Sequence, residues 1–80
     1  MEYNGLKLVK LTFACPEQYY VYKGSEKVGF LHLRYGYFYA EAYSTKVYEA
    51  TVKGDGLFQS DEREYHLLNA LKAIDEFLNS

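Results

Sequence analysis

Residues 27–43, KVGFLHLRYGYFYAEAY, have the pattern of a β-hairpin, and this stretch decides the fold. A turn at Tyr35-Gly36, in which the glycine supplies the positive φ of a tight hairpin, pairs the strands down to Phe30 opposite Glu41. Because side chains alternate across a strand, both strands then present the same two faces. The smooth face is apolar and carries Gly29, Leu31, Leu33, Phe38, Ala40 and Ala42. The opposite face, which we call the tyrosine face, carries Val28, Phe30, His32, Arg34, Tyr37, Tyr39, Glu41 and Tyr43.

A second strand precedes this hairpin at residues 18–23, QYYVYK, and a glycine-containing loop joins the two. If Tyr22 lies opposite Val28, Tyr20 lies opposite Phe30. This register adds Tyr19 and Val21 to the smooth face, and Tyr20 and Tyr22 to the tyrosine face.

A further strand is expected at residues 47–52, after a turn at residues 44–46. Its alternation places Tyr48, Ala50 and Val52 on the smooth face. The same register sets Glu41 across from Glu49, and two like charges facing each other are mildly unfavourable.

The N-terminal part has a less regular strand pattern. Residues 1–5 are polar and are expected to fray, whereas residues 6–14, LKLVKLTFA, are strand-like. Their alternation is broken, because Leu6 and Leu8 share one phase while Val9, Leu11 and Phe13 share the other. A bulge would reconcile the two phases, and a short helix is the alternative. Cys15-Pro16 then interrupts the strand, since proline cannot donate to a ladder.

A helix is predicted after the breaker KGDG at residues 53–56, and it runs to about Leu78. Ser60 or Asp61 can cap it, and Asp61 with Glu64 has capping-box spacing. Its apolar stripe consists of Tyr65, Leu68, Leu71, Ile74, Phe77 and Leu78, with Leu67 close by. Strands first and one helix last predict an α+β fold, an antiparallel meander of four to five strands with the C-terminal helix packed on the smooth face.

Composition limits the classes of function. The chain has 80 residues, which predicts a single domain over residues 1–80, and it carries a formal net charge of -2. Sequence-independent binding to a phosphate backbone needs a basic stripe, which this balance disfavours. The single cysteine, Cys15, permits no internal disulfide and is expected to be a small buried or half-buried thiol. With no apolar run near 18 residues and no signal-peptide pattern, we expect a cytoplasmic protein without a membrane partner.

Two stretches of the sequence resemble sites for chemistry, and neither is complete. GDGLFQSDE at residues 54–62 matches the second half of an EF-hand calcium loop, but Thr51 and Lys53 fall where the first carboxylates belong. The preferred interpretation is a strand-to-helix turn, so no metal or other cofactor is predicted. His32 with Glu41 could form an acid–base pair, but no nucleophile accompanies them, and His66 is expected to face solvent. The sequence therefore favours a protein that is not an enzyme.

The tyrosine face is the strongest functional signal. Ten of the 80 residues are tyrosine, and large exposed aromatic patches usually mark partner surfaces. The alternative is that residues 6–13 fold over this face. The predicted binding residues are Tyr20, Tyr22, Phe30, His32, Arg34, Tyr37, Tyr39 and Tyr43. A protein partner, or a second copy in a homodimer, suits a face of mixed charge, and a nucleic acid stacked on the rings is the alternative partner.

Four segments carry a resemblance: VGFLHLRYGYF at 28–38, VYEA at 47–50, GDGLF at 54–58 and DEREYHL at 61–67. Together they resemble small uncharacterised proteins of Gram-positive bacteria and their phages or mobile elements. The resemblance spans about half of the chain and rests on turn, strand and cap signals. It implies an accessory role in a phage or mobile element, and no assigned activity or site residue comes with it.

Overall fold

A computed structural model describes residues 1–12 and 15–80. Six strands form one antiparallel sheet in sequence order, and a helix follows them. The fold is therefore α+β as predicted, with one strand more than expected. The elements are β1 (Glu2–Tyr3), β2 (Leu6–Lys10), β3 (Glu17–Lys23), β4 (Glu26–Arg34), β5 (Tyr37–Ala42), β6 (Thr45–Thr51) and α1 (Arg63–Leu78). No helix among the described residues is long and apolar enough to cross a membrane.

The central hairpin has the predicted register. Arg34 lies opposite Tyr37 and Phe30 opposite Glu41, and the two turn residues both have positive φ, 55° at Tyr35 and 73° at Gly36. All six residues predicted on the smooth face are buried, and Tyr19 and Val21 of β3 join them in the core. Gly29 has no room for a side chain, because a Cβ there would lie 2.9 Å from Cδ1 of Ile74 in α1.

On either side of this hairpin a β-bulge makes the observed strand pairing differ from the predicted pairing. Val21 lies opposite Gly29 but Tyr22 lies opposite Lys27, so Val28 is the extra residue, and it is buried instead of lying on the tyrosine face. An inserted residue changes which face the following side chains occupy, and alternation alone does not reveal where it is inserted.

The second bulge lies between β5 and β6. The turn there is Tyr43-Ser44, one step earlier than predicted, and both residues have positive φ. Glu41 consequently lies opposite Lys46 and Glu49 opposite Tyr39, so the predicted Glu41–Glu49 clash was wrong. The bulge replaces a like-charge pair by one of opposite charge.

The N-terminal segment joins the sheet. A turn at Asn4-Gly5, both with positive φ, pairs β1 with β2, so the frayed start was wrong. β2 ends at Lys10 and pairs with β3 without a register shift, so neither the predicted bulge nor the longer strand is present over these residues. The remainder of that prediction, Phe13 and Ala14, lies outside the described residues. The thiol of Cys15 is exposed and not buried as expected.

The helix is turned relative to the predicted stripe. Its buried residues are Leu67, Ala70, Leu71 and Ile74, whereas Tyr65 is 66% and Phe77 38% exposed. The predicted stripe favoured the largest apolar side chains and overlooked Ala70, whose small size lets the helix approach the sheet. His66 was expected in solvent but is half-buried, because its ring stacks on Phe58 with centroids 5.8 Å apart.

Two buried carboxylates hold the loop before α1. Glu62 is the N-cap residue, and its carboxylate accepts hydrogen bonds from the backbone N–H groups of Lys53, Gly54 and Gln59, at 2.8, 2.8 and 3.0 Å. The predicted caps Ser60 and Asp61 do not take this position, and Asp61 instead forms an ion pair with Lys53. Glu62 thus organises the turn that resembled a calcium loop. Among the described residues, no cluster of side chains has the composition of a metal site.

Glu17 is the second such carboxylate, at the start of β3. It is 1% exposed and accepts hydrogen bonds from the backbone N–H of Phe58 at 2.9 Å and from Nε and Nη2 of Arg63 at 2.9 and 3.1 Å. The hydroxyl of Tyr19 donates to it as well. Burial disfavours its ionisation, but these hydrogen bonds prevail and hold the pKa of Glu17 below its ordinary value.

Candidate functional site

The tyrosine face is a continuous layer of aromatic rings on the side of the sheet away from α1. Tyr22 contacts Tyr20, Tyr20 contacts Phe30, and the layer continues across the central hairpin to Tyr37. Neighbouring ring centroids lie 5.5–6.4 Å apart, the spacing of favourable aromatic pairs. β2 does not fold over this layer, because it lies beside β3 in the plane of the sheet, with Val9 opposite Tyr20.

The rings are fixed by one another and not by a covering element. Most of them are half-buried, and Tyr37 is 37% exposed. No helix or strand within residues 1–12 and 15–80 lies over them. An ordered aromatic layer of this kind loses little side-chain entropy when a partner covers it, since its rotamers are already restricted by packing.

His32 lies in the middle of the face. Its ring stacks on Tyr39 with centroids 5.5 Å apart, and its Nδ1 lies 3.2 Å from Nε2 of Gln18. Burial, with a smaller contribution from the positive charge of Arg34, lowers the pKa of His32. Within the described structure no hydrogen bond joins His32 to Glu41, so the geometry does not assemble the acid–base pair considered from the sequence.

The β6 side of the face is a small polar network. The hydroxyl of Tyr37 donates to Glu49 Oε1 at 2.9 Å and accepts from Lys46 Nζ at 2.7 Å. Lys46 and Glu49 also form an ion pair of 3.7 Å. The positive charge of Lys46 is therefore engaged with its neighbours, even though the sheet register places Lys46 opposite Glu41.

A recess of about 430 Å³ opens at the other end of the hairpin, between the two bulges. The residues that line it include the aromatic Tyr20, Phe30 and Tyr43, and its charged residues are Lys27 and Glu41. The pairing shifts on either side of it, between Val21 and Tyr22 in β3 and between Ala40 and Glu41 in β5.

The groups at the mouth of the recess have defined partners. Lys27 Nζ lies 4.2 Å from the centroid of the Tyr20 ring, a cation–π contact. The hydroxyl of Tyr43 donates to Glu26, and this hydrogen bond raises the pKa of Tyr43. Glu41, a half-buried residue, is different: none of the described side chains forms an ion pair with its carboxylate.

Arg34 marks the opposite end of the face. Its guanidinium lies 4.9 Å from the ring centroid of Tyr35, and Nη2 donates to the Tyr35 hydroxyl at 3.1 Å. Both side chains are exposed, and none of the described carboxylates forms an ion pair with Arg34.

The structure brings most of the predicted residues together. Tyr20, Tyr22, Phe30, His32, Tyr37 and Tyr39 form the aromatic layer, whereas Arg34 turns to Tyr35 and Tyr43 lies in the turn after β5. Sequence reasoning missed Lys27, Glu26 and Ser44, which complete the recess or its rim. The bulge at Val28 places Lys27 opposite Tyr22, whereas Ser44 belongs to the turn after β5, and the sequence pattern did not indicate that bulge.

The chain matches no protein-family model, and searches of the curated proteins and of the solved structures found no match.

Proposed function

We propose that the chain is a small, non-enzymatic interaction module that binds a protein partner, or a second copy of itself, through the tyrosine face. The observation that carries the proposal is the aromatic layer from Tyr22 to Tyr37, which none of the described helices and strands covers, on a sheet whose other face packs against α1. Tyrosine is enriched at protein interfaces because its ring supplies apolar area while its hydroxyl keeps a polar contact. The sequence resemblance extends the proposal to an accessory role in a phage or mobile element.

Charge on this face favours a protein over a nucleic acid. The cationic groups Lys46 and Lys27 are held by neighbours, over the rings of Tyr37 and Tyr20. Carboxylates of Glu26, Glu41 and Glu49 accompany them. A phosphate backbone requires a stripe of unopposed positive charges, which Arg34 alone does not supply, whereas protein interfaces accommodate balanced charge at their rims.

The test is affinity capture with the immobilised chain from a lysate of its source organism. We expect the captured partner to be lost with Tyr37→Ala and with Tyr39→Ala, and retained with Tyr65→Ala. Tyr65 is the matched control, because it is an exposed tyrosine on α1. Thermal unfolding of each variant verifies that the fold persists. Retention of every partner by both face variants would count against the proposal.

A nucleic acid is the alternative partner, and the observation favouring it is the pair of lysine–tyrosine contacts within a layer of stacked rings. A gel shift with single-stranded DNA and RNA at low salt separates the two functions. We expect no shift. A shift that weakens with salt and disappears on Arg34→Glu would support the alternative instead.

A further inference from the structure

The carboxylate of Glu41 needs a cation that the described part of the chain does not supply. Lys46, its register partner, is engaged by the Tyr37 hydroxyl at 2.7 Å and by Glu49 at 3.7 Å. Lys27 lies over the ring of Tyr20. An ionised carboxylate without a partner is costly when a docking surface removes its water, so a surface that covers the recess is favoured if it brings a positive charge.

The recess selects the type of cation. Glu41 and Lys27 line it, and the carboxylate of Glu26 lies next to it on the hydroxyl of Tyr43, so two negative charges accompany one positive charge. The aromatic residues Phe30 and Tyr43 line the recess together with Glu41. A guanidinium satisfies both features, because it stacks on an aromatic ring and donates paired hydrogen bonds to a carboxylate.

The same face carries one such group. Arg34 is exposed, has no carboxylate partner among the described residues, and follows Phe30 by four positions on β4. At about 3.3 Å per residue, the two Cα atoms lie about 13 Å apart. Arg34 forms no ion pair with Glu41 of its own chain across that distance, but it can reach the recess of a facing sheet.

The register makes this contact self-complementary. The pair Arg34–Tyr37 and the pair Phe30–Glu41 lie equally far on either side of the pair His32–Tyr39. A two-fold axis that crosses the strands over the middle pair therefore places Arg34 of each copy above Phe30 and beside Glu41 of the other. One copy contacts the other through the same two places, which is the condition for an isologous dimer.

We propose that the tyrosine face pairs with a second copy of the chain, and that Arg34 of each copy enters the recess of the other to bind Glu41. This inference rests on the proposed function, which it deepens by naming the partner. Two sheets packed face to face lie about 10 Å apart, a gap that aromatic rings and an arginine side chain from either side can fill.

The test is charge reversal, read by analytical ultracentrifugation over rising protein concentration. Wild type is expected to form a dimer. Arg34→Glu and Glu41→Arg should each raise the dimer dissociation constant at least about 30-fold, because either change sets like charges together in both recesses. The double variant carrying both reversals should restore the dimer, since it exchanges the charges without removing the pair.

The matched controls are Lys72→Glu and Glu76→Arg on α1. They make the same charge changes at exposed positions away from the face and should leave the dissociation constant unchanged. Thermal unfolding checks that each variant folds. A wild-type chain that stays monomeric at every concentration overturns the inference, and so does a dimer that neither single reversal weakens. Neither result contradicts the proposed function, which is contradicted only if the Tyr37→Ala and Tyr39→Ala variants keep every captured partner.

Discussion

Glu17→Gln tests how far the fold depends on one buried carboxylate. The substitution keeps the shape of the side chain and removes its charge. The new side chain would still accept a hydrogen bond from the backbone N–H of Phe58, which lies 2.9 Å from Glu17, but its amide group would face the guanidinium of Arg63. The fold should therefore lose its only anion positioned to bridge the start of β3 and the first turn of α1, among the described residues.

The expected loss of stability follows from the burial of the Glu17–Arg63 ion pair. Breaking a buried ion pair costs about 3–5 kcal/mol, but the Arg63 side chain is 36% exposed and can recover some hydration. We therefore expect a loss of about 2–3 kcal/mol. A domain of 80 residues has a total stability of about 4–12 kcal/mol, so the variant should still fold. With a urea m-value near 1 kcal/mol/M, the unfolding midpoint should fall by about 2–3 M.

The pH dependence gives this prediction a second, independent readout. The pKa of Glu17 is lowered in the folded chain, so its contribution is present above the pKa of the unfolded chain and disappears as the pH falls through the folded value. The difference in unfolding free energy between wild type and Glu17→Gln should be full at neutral pH and shrink in acid. Urea unfolding at several pH values measures it.

The control for this experiment is Glu76→Gln, which removes an exposed carboxylate of α1 and should change stability by no more than about 0.5 kcal/mol. If Glu17→Gln proves as mild as this control, or if its effect does not vary with pH, the ion pair does not stabilise the fold in the way described.

Two further substitutions test the packing of the sheet and the loop. Gly29→Ala should destabilise the fold by about 1–3 kcal/mol, as measured by urea unfolding. The reason is that its Cβ would lie 2.8 Å from the Glu41 carbonyl oxygen and 2.9 Å from Cδ1 of Ile74. An unchanged unfolding midpoint would contradict the close packing of α1 on the sheet. Glu62→Ala leaves three backbone N–H groups without their acceptor and should lower stability by about 2 kcal/mol, with amide exchange accelerated at Gly54; unaltered exchange there would show that the carboxylate does not hold the loop.

The hairpin was predictable because two independent signals agree on it. Gly36 indicates the turn, and the alternation of residues on both strands then leaves a single register in which the apolar side chains share a face. The same reasoning gave part of the pairing wrongly between β3 and β4 and between β5 and β6. At Val28 and at Glu41 a bulge shifts the pairing, and the alternation of side chains does not reveal where an extra residue is inserted.

The helix and its cap show a different limit of sequence reasoning. The stripe predicted from large apolar residues included Tyr65 and Phe77, but packing against the sheet selected the smaller Ala70. Similarly, Asp61 has the spacing of a capping residue, yet Glu62 binds the loop because the chain folds back to bring its own N–H groups there. Such choices depend on tertiary contacts, which local propensity does not include.

Most residues of the candidate site could be predicted from the sequence, but the recess at one end of it could not. Alternation placed the tyrosines on one face, and the structure shows them in contact. The recess was not predictable, since Lys27 lies opposite Tyr22 only because of the bulge at Val28, whereas Glu41 lies opposite Phe30 as predicted. The dimer proposal depends on the unpaired charges of Glu41 and Arg34. These could not be identified from the sequence, because they depend on which groups the neighbouring lysines contact in the folded chain.

The central claim is that a second copy covers the tyrosine face, and amide chemical shifts followed by NMR over a dilution series test it most directly. We expect concentration-dependent shifts at Phe30, His32 and Tyr39 and constant shifts at Lys72 and Glu76 of α1. Shifts that stay constant along β4 and β5 at every concentration, or that move only along α1, would contradict the claim.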